Sequence, residues 1–386
     1  MKVLWLASWY PNTYEPVNGD FIQRHARAVA AWMPIDVIHV LQTGKDKPLE
    51  DTVTETVNGN LRELVYSFSF KKTGLAAIDK IRYNLYYKKF YLNILKAYIS
   101  KHGKPHLTHV HVPMKAGMIA LQLKKWGIPY IVSEQASHYE KAAPDSFYKR
   151  SFFFRYNTRK IFQQAACVTN VSATLGTTIQ QLFSLRKVDT VHNLADRNVF
   201  FYKQTAPHEK FRWLHVSALN SQKNIEGIIE AFEVLVKQKQ ANCQLVIAGP
   251  FVQEHVLFVK EKGLEGHISF IGEIAHNDVA MQMQQANAFV LFSKHENFPC
   301  VVVEALCCGL PVVASNVGGV AEAIKESNGI TVPSENVTAL AEAMHVLMHR
   351  YRQYHQQQIA DNAIHQYSAE VIGKQFVEIY QRNMPG

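Results

Sequence analysis

The sequence predicts an α/β protein of two Rossmann-like, doubly wound parallel-sheet domains in series, with ligands in the cleft between them. Three observations lead there. The chain has 386 residues, too many for one ordinary domain and enough for two that each bury a core. Short apolar runs alternate with amphipathic stretches of helical period, the pattern of strands covered on both faces by helices. The alternation restarts after a polar, proline-containing segment, Val199–Lys210 with Pro207, which reads as a linker.

Taken in order, the apolar runs Lys2–Ser8, Ile35–Leu41, Leu107–His111, Tyr130–Ser133, Cys167–Val171 and Val188–His192 are expected strands of the first domain, and Ile22–Trp32 its first helix. In the second, Phe211–Ser217 is a strand and Ile225–Lys237 a helix. Gln244–Ala248, Ile268–Ile271, Ala288–Phe292, Pro311–Ala314 and Gly329–Val332 follow as strands, and from about Asn336 onward only helices are expected. The expected domains are 1–200 and 201–366, with 367–386 a terminal helix returning to the first. Ligands of such sheets sit at the carboxyl ends of the strands.

A composition of 47% hydrophobic and 19% charged residues is that of a globular protein. No run approaches the roughly 20 apolar residues of a membrane span. The N-terminal apolar run is too short and poorly flanked for a secretory signal, so a cytoplasmic protein is expected. Five cysteines show no zinc or Cys-x-x-Cys spacing and read as buried thiols. Residues 1–200 carry 27 Lys and Arg against 14 Asp and Glu, and residues 201–386 carry 14 against 18. The basic half should prefer an anionic partner, but no nucleic-acid-binding motif accompanies the charge. The absence of Gly-x-Gly-x-x-Gly after the first strand argues against a dehydrogenase.

The segment from Ser293 to Glu304 is the most informative. It follows an apolar strand, and Pro299 suits the first turn of a helix. Glu296 lies in the turn, Glu304 among valines and alanine in the helix, and the free N–H groups near Cys300 and Val301 face an incoming anion. A carboxylate can accept from two sugar hydroxyls at once. An unpartnered carboxylate buried at Glu304 would cost several kcal/mol, so a role there is expected.

These residues resemble the retaining glycosyltransferase family 4, of the GT-B fold, whose hallmark is E-x-F-G/P-x-x-x-x-E; Glu296, Phe298, Pro299 and Glu304 are in register. Residues 308–315 resemble the family's A-x-G-x-P-V-V-A segment, and Gly318-Gly319 with Glu322 its G-G-x-x-E loop. The resemblance implies that Glu296 contacts the transferred sugar and Glu304 the ribose, with Phe298, Pro299, Cys300 and Val301 beside the donor. Leu214–Lys223 resembles the family's G-R-L-x-x-x-K-G turn, which makes Lys223 the donor-diphosphate lysine. A cation there neutralises charge growing on the leaving group. Ser217 and Ala218 replace the usual Gly-Arg, so the second cation is absent; Arg24, Lys115 and Arg197 are substitutes by charge alone.

Gly19, between the first strand and helix, matches a loop facing the donor phosphates, or is a plain turn glycine. His109 and His111 resemble the family's H-x-H on the acceptor side and share one strand face. His111, nearer the strand end, is the catalytic candidate, against a purely structural histidine. Gln135 stands where relatives have a histidine and cannot titrate; its neighbour Glu134 is an acceptor-side candidate. Asn193 belongs to a segment resembling P-N-G-V-D-x-x-x-F, with His192 in place of the proline.

The resemblance implies transfer with retention, from a nucleoside-diphosphate sugar to a saccharide or lipid-linked acceptor. It implies no cofactor and, since no Asp-x-Asp occurs, no metal. Two basic-aromatic stretches, 71–104 and 147–162, are either membrane-docking helices on anionic lipid or amphipathic helices with solvated cations. The alternatives to transfer are a non-hydrolysing nucleotide-sugar epimerase of the same fold, or a weakened sugar-nucleotide-binding module.

Overall fold

A computed structural model describes residues 2–43, 51–136, 138–139, 146–206 and 209–384; the linker marker Pro207 lies outside them. The chain forms two compact units. The first comprises Met1–Val171, Gly176–Val191 and Ile372–Gly386, the second Ser172–Leu175 and His192–Val371. The first break therefore falls nearer 191 than the expected 200. Asn193 explains the shift, because its side-chain amide donates to the Phe298 carbonyl, 2.7 Å away in the second unit. The last break falls at 371, not 366. Ser368 bridges to Ala195, whereas Phe376 and Tyr380 pack on Trp5 and His109.

The first unit runs β1 (Val3–Ala7), α1 (Asp20–Ala30), β2 (Ile35–Gln42), β3 (Thr52–Asn58), β4 (Leu61–Phe68), α2 (Ala76–His102), β5 (Leu107–His111), α3 (Ala116–Lys125), β6 (Tyr130–Glu134), α4 (Phe152–Gln164), β7 (Cys167–Asn170), α5 (Ala173–Phe183) and β8 (Asp189–Thr190). Its sheet has the order β3-β4-β2-β1-β5-β6-β7-β8. The central strand β1 is buried at every residue, as helices on both faces require.

The sheet is parallel except for one edge strand, which the sequence reading did not include. β3 pairs antiparallel with β4, register Asn58↔Leu61, through the two-residue turn Gly59-Asn60. Gly59 has φ 57°, the left-handed conformation that glycine adopts freely. β3 is exposed throughout and closes the sheet edge. The strand expected over Val188–His192 shrinks to Asp189–Thr190, a short edge pairing with β7.

The second unit runs β9 (Phe211–Val216), α6 (Ile225–Glu233), β10 (Cys243–Ala248), α7 (Gln253–Glu261), β11 (Ile268–Gly272), α8 (His276–Gln284), β12 (Ala288–Leu291), α9 (Cys300–Cys307), β13 (Val312–Ser315), α10 (Val320–Ala323), β14 (Gly329–Val332), α11 (Val337–Arg350) and α12 (Gln356–Tyr367). The final turn of the helix expected through Lys237 is a π-helix, Val234–Gln238. The six strands are all parallel, in the order β11-β10-β9-β12-β13-β14. Trp213, Leu245, Ile247, Val290 and Val313 form its core with Ile228, Ile229 and Phe232 of α6 and Leu340, Met344 and Leu347 of α11. The terminal helix α13 (Ala369–Asn383) packs within the first unit from Ile372 onward. Gly373 meets the Ala28 backbone of α1 so closely that an added Cβ would lie 2.3 Å from its carbonyl oxygen.

Strand order reverses between β9 and β12 in the second sheet, and between β1 and β5 in the first. A crevice opens at such a switch point beyond the carboxyl ends of the strands, because the connections on its two sides leave toward opposite faces.

Candidate active site

The switch point of the second sheet brings together the turns after β9 and β12. The Lys294 amide donates to the Gln222 carbonyl (2.8 Å), and the Gln222 side chain donates to the His295 carbonyl (2.7 Å). Ser315, at the end of β13, donates to the Ser293 carbonyl (2.6 Å). Within this frame one carboxylate oxygen of Glu296 accepts from the Ser293 hydroxyl (2.7 Å) and from the Lys223 ammonium (2.5 Å). Both side chains of that ion pair are mostly buried, with relative exposures of 17% for Lys223 and 8% for Glu296. A buried charge without a partner would cost several kcal/mol, and each of these side chains is the other's partner.

Gly318 explains how the following loop closes on this turn. It sits at φ 53°, and an added Cβ would lie 1.6 Å from the Glu296 carbonyl oxygen. Only glycine permits that approach. Glu322 of the same loop accepts from the Ala173 and Thr174 amides (2.8 and 3.0 Å).

Pro299 is the N-cap of α9, with no side chain capping the helix, and Cys300 and Val301 are its first residues. Glu304 lies one turn in and is buried; His276, at the start of α8, holds its Nε2 3.9 Å from the carboxylate. Phe298, expected beside the donor, turns its ring into the fold. The ring is buried, stacked on His192 (4.4 Å) and tilted against Tyr367 (5.6 Å). His192, in the expected proline position, thus anchors the turn. Asn193 anchors it too, through the Phe298 carbonyl.

Ser217 is likewise committed to the fold. The His215 Nδ1 lies 2.9 Å from the Val290 carbonyl, which can only accept, so that nitrogen carries the proton. The neutral ring then accepts from the Ser217 hydroxyl at Nε2 (2.7 Å), and Ser217 accepts from the Leu219 amide (3.1 Å). Burial holds His215 neutral, its pKa pushed down to about 4.

The model of the family described as "Glycosyl transferases group 1" matches residues 196–366, which hold Lys223, Ser293, Glu296 and α9, and that of "Glycosyl transferase 4-like domain" matches residues 82–193. The chain belongs to the group 1 glycosyltransferases. Among relatives of this chain, the putative teichuronic acid biosynthesis glycosyltransferase TuaC of Bacillus subtilis is 23% identical over 383 residues, 94% of this chain and 92% of that one. N-acetyl-alpha-D-glucosaminyl L-malate synthase of Bacillus anthracis is 26% identical over 231 residues, 56% and 60% of the two chains. The chain spans between 33% and 60% of the length of several other curated relatives and this one. The fold matches that of sucrose-phosphate synthase from Thermosynechococcus elongatus, with TM-score 0.77 at 19% identity over 99% of each chain. It also matches Anabaena HepE in complex with UDP, with TM-score 0.70 at 17% identity over 99% and 100%.

In the first unit several expected site residues turn inward. His111 is fully buried, its ring stacked on Trp5 (4.0 Å), and neither ring nitrogen has a hydrogen-bond partner among the described residues. Burial holds it neutral, well below the usual histidine range. It sits in the core beside Phe376 of α13, and not at an open strand end facing a cleft. His109 beside it is satisfied by Tyr380 (2.8 Å) and Ser133 (2.6 Å). Glu134 is also buried. It accepts from the Gln135 and Ala136 amides (2.8 Å each) and the Tyr139 hydroxyl, so its carboxylate organises its own loop and does not face an acceptor. Gln135 approaches His25 (3.3 Å). Gly19 is required by the chain itself: at φ 72°, its Cβ would lie 2.6 Å from the Trp9 carbonyl carbon.

Of the three substitute cations, Arg24 pairs with Asp20 (2.9 Å) and Arg197 with Glu370 (3.8 Å). Lys115 instead lines a cavity of about 620 Å³ in the first unit. The five cysteines are free thiols. Ser293, Gln222, Ser315 and His276 were not singled out in the sequence. Only Ser293, three residues before Glu296 at a strand end, carries a local signal.

Proposed function

We propose that the protein transfers a sugar, with retention of configuration, from a nucleoside-diphosphate sugar to a saccharide or lipid-linked acceptor, without metal or cofactor. The observation that carries this reading is the Lys223–Glu296–Ser293 cluster at the switch point of the second sheet, beside the uncapped N-terminus of α9. An entering diphosphate takes over the Lys223 ammonium, and the freed Glu296 carboxylate grips the sugar hydroxyls. Lys223 then neutralises charge on the departing diphosphate, where such stabilisation is worth most. Glu304 takes the ribose hydroxyls. Cys300 and Val301 present amides to phosphate oxygens. The solved HepE structures, which contain UDP and glucose, and the teichuronic acid role named for TuaC support a UDP-sugar donor and a role in surface polysaccharide assembly.

Peripheral membrane contact at the inner face belongs to the same reading. Among the described residues no helix is long and apolar enough to cross a membrane. Leu75, Ile78, Ile81 and Leu85 around the start of α2, and Phe152 and Phe153 on α4, are exposed large hydrophobics. They stand among Lys71, Lys72, Lys80, Arg155 and Arg159, a composition suited to anionic headgroups.

Thermal shift with UDP- and GDP-sugars tests the donor: one nucleotide sugar should raise the melting temperature, and Glu304→Ala should remove the rise. Product analysis then separates transfer from epimerisation. A new sugar epimer formed without any acceptor would overturn the reading.

A further inference from the structure

The cavity of about 620 Å³ in the first unit lies at that sheet's own switch point. Its walls come from the segments after β1 (Ser8, Trp9), the end of β2 (His39–Gln42) and the turn after β5 (Val112–Lys115), with Tyr83 of α2 and Phe154 of α4 at the side. None of the residues expected from the motifs to contact an acceptor lines it.

The turn after β5 is built for presentation and not for ease of folding. Val112 and Lys115 both have positive φ, 60° and 69°, which a β-branched and a long side chain rarely adopt. At φ 69° and ψ −72°, Lys115 lies near the γ-turn conformation, a strained one. Ser8 holds the turn in place: its hydroxyl lies 2.7 Å from the Val112 carbonyl and 2.5 Å from that of Met114, and it accepts from the Ala116 amide (3.4 Å).

Lys115 of this turn and His39 of β2 both line the cavity. Lys115 has no carboxylate within ion-pairing distance among the described residues. Its ammonium is held below the usual lysine range by desolvation, which Glu15 only partly offsets. His39 is 3% exposed, and its Nδ1 lies 2.9 Å from the Ala7 carbonyl, so that nitrogen carries the proton. Burial and the nearby Lys115 keep the ring neutral, leaving the Nε2 lone pair to accept from a ligand. Trp9 and Tyr14 add aromatic faces of the kind that pack on sugar rings, and Glu15, the one carboxylate of the lining among the described residues, can accept from hydroxyls.

We propose that this cavity binds an acidic saccharide, with Lys115 taking its carboxylate or phosphate and His39 Nε2 accepting from one of its hydroxyls. This deepens the transferase reading and rests on it: the occupant is the acceptor or its terminal sugar.

The test is calorimetric titration of the full chain with methyl glucuronide, glucose 6-phosphate, methyl glucoside and sodium phosphate. The first two distinguish a carboxylate from a phosphate source. At least one of them should bind about tenfold or more tighter than methyl glucoside and than phosphate alone. Lys115→Met should remove that preference, and Lys115→Arg should keep part of it. His39→Phe should weaken acidic and neutral sugars alike by about tenfold. Equal affinity for acidic and neutral sugars, a preference unchanged in Lys115→Met, phosphate binding as tightly as the sugar phosphate, or no sugar binding below about 10 mM overturns the proposal. Thermal stabilisation by UDP- or GDP-sugars, measured on the same variants, reports folding and the donor reading separately. Its loss in the wild type would sink the transferase assignment, and its retention with failed sugar titrations would sink only this one.

Discussion

In the second sheet, the reversal of strand order between β9 and β12 is occupied by an acid-base pair, Glu296 with Lys223, laced into its turns by Ser293, Ser315 and Gln222. In the first sheet, the reversal between β1 and β5 holds a lysine with no ion-pair partner among the described residues, a neutral histidine and aromatic rings around an open cavity. The topology is the same and the chemistry is opposite. Where charges are paired in advance, a ligand must exchange partners with them, which suits a diphosphate whose charge changes during reaction. Where a cation is not already ion-paired, a ligand supplies the opposite charge, which suits recognition. The strand order provides the crevice, and the residues after each strand decide its use.

The largest expected effect breaks the paired site. Lys223→Ala and Glu296→Ala should each lower the transfer rate by about 10²–10³-fold in steady-state assays, the scale for losing one charge-stabilising group. An unchanged rate in either would show that the pair is only structural. Next comes the loop that closes on it. Gly318→Ala forces a clash with the Glu296 carbonyl at a left-handed backbone position, and should destabilise the second unit by about 3 kcal/mol or more in urea unfolding.

The two units should also part company in acid. His39, His109 and His111 of the first unit, and His215 of the second, are buried and held neutral below their unfolded value near 6.5. The unfolded chain therefore binds more protons below that pH. Their contribution is whole above about pH 6.5 and falls as pH drops, by up to about 1.4 kcal/mol per pH unit for each histidine; for His215 the loss ends near pH 4. Glu134, held above the usual carboxylate range by burial, offsets part of the loss in the first unit. With three such histidines against one, the first unit should lose amide-exchange protection at a higher pH than the second. Simultaneous loss would refute this.

The smallest effect concerns His111. Its ring nitrogens have no partners among the described residues, so His111→Phe should raise stability at pH 7 by about 1 kcal/mol and leave turnover unchanged. A large fall in turnover would return it to the catalytic site.

Much of this was legible in the sequence where the signal is local. Leu107–His111 and Gly329–Val332 were read with their observed limits, because a buried strand announces itself by a short apolar run. The β3–β4 pair was missed, although Asn58-Gly59 marks its turn, since an exposed edge strand such as β3 needs no apolar run. The spacing of Glu296 and Glu304 placed one on a turn and one on the following helix, which is what α9 shows. Burial was harder to read: His111 and Glu134 stand at strand ends like ligand-facing residues, and what covers them comes from Phe376 in one case and Tyr139 in the other.

The sequence by itself determined the two α/β units, the element order and the acidic turn after β12, because hydrophobic period and turn chemistry act between near neighbours along the chain. Only the tertiary structure decided that Lys223 meets Glu296 across 73 positions, that Ser217 and Phe298 serve the fold, and that Ser8, His39 and Lys115 surround one cavity. Those contacts depend on which strands lie side by side. That order is set by how the whole sheet buries its two faces, and no local pattern records it.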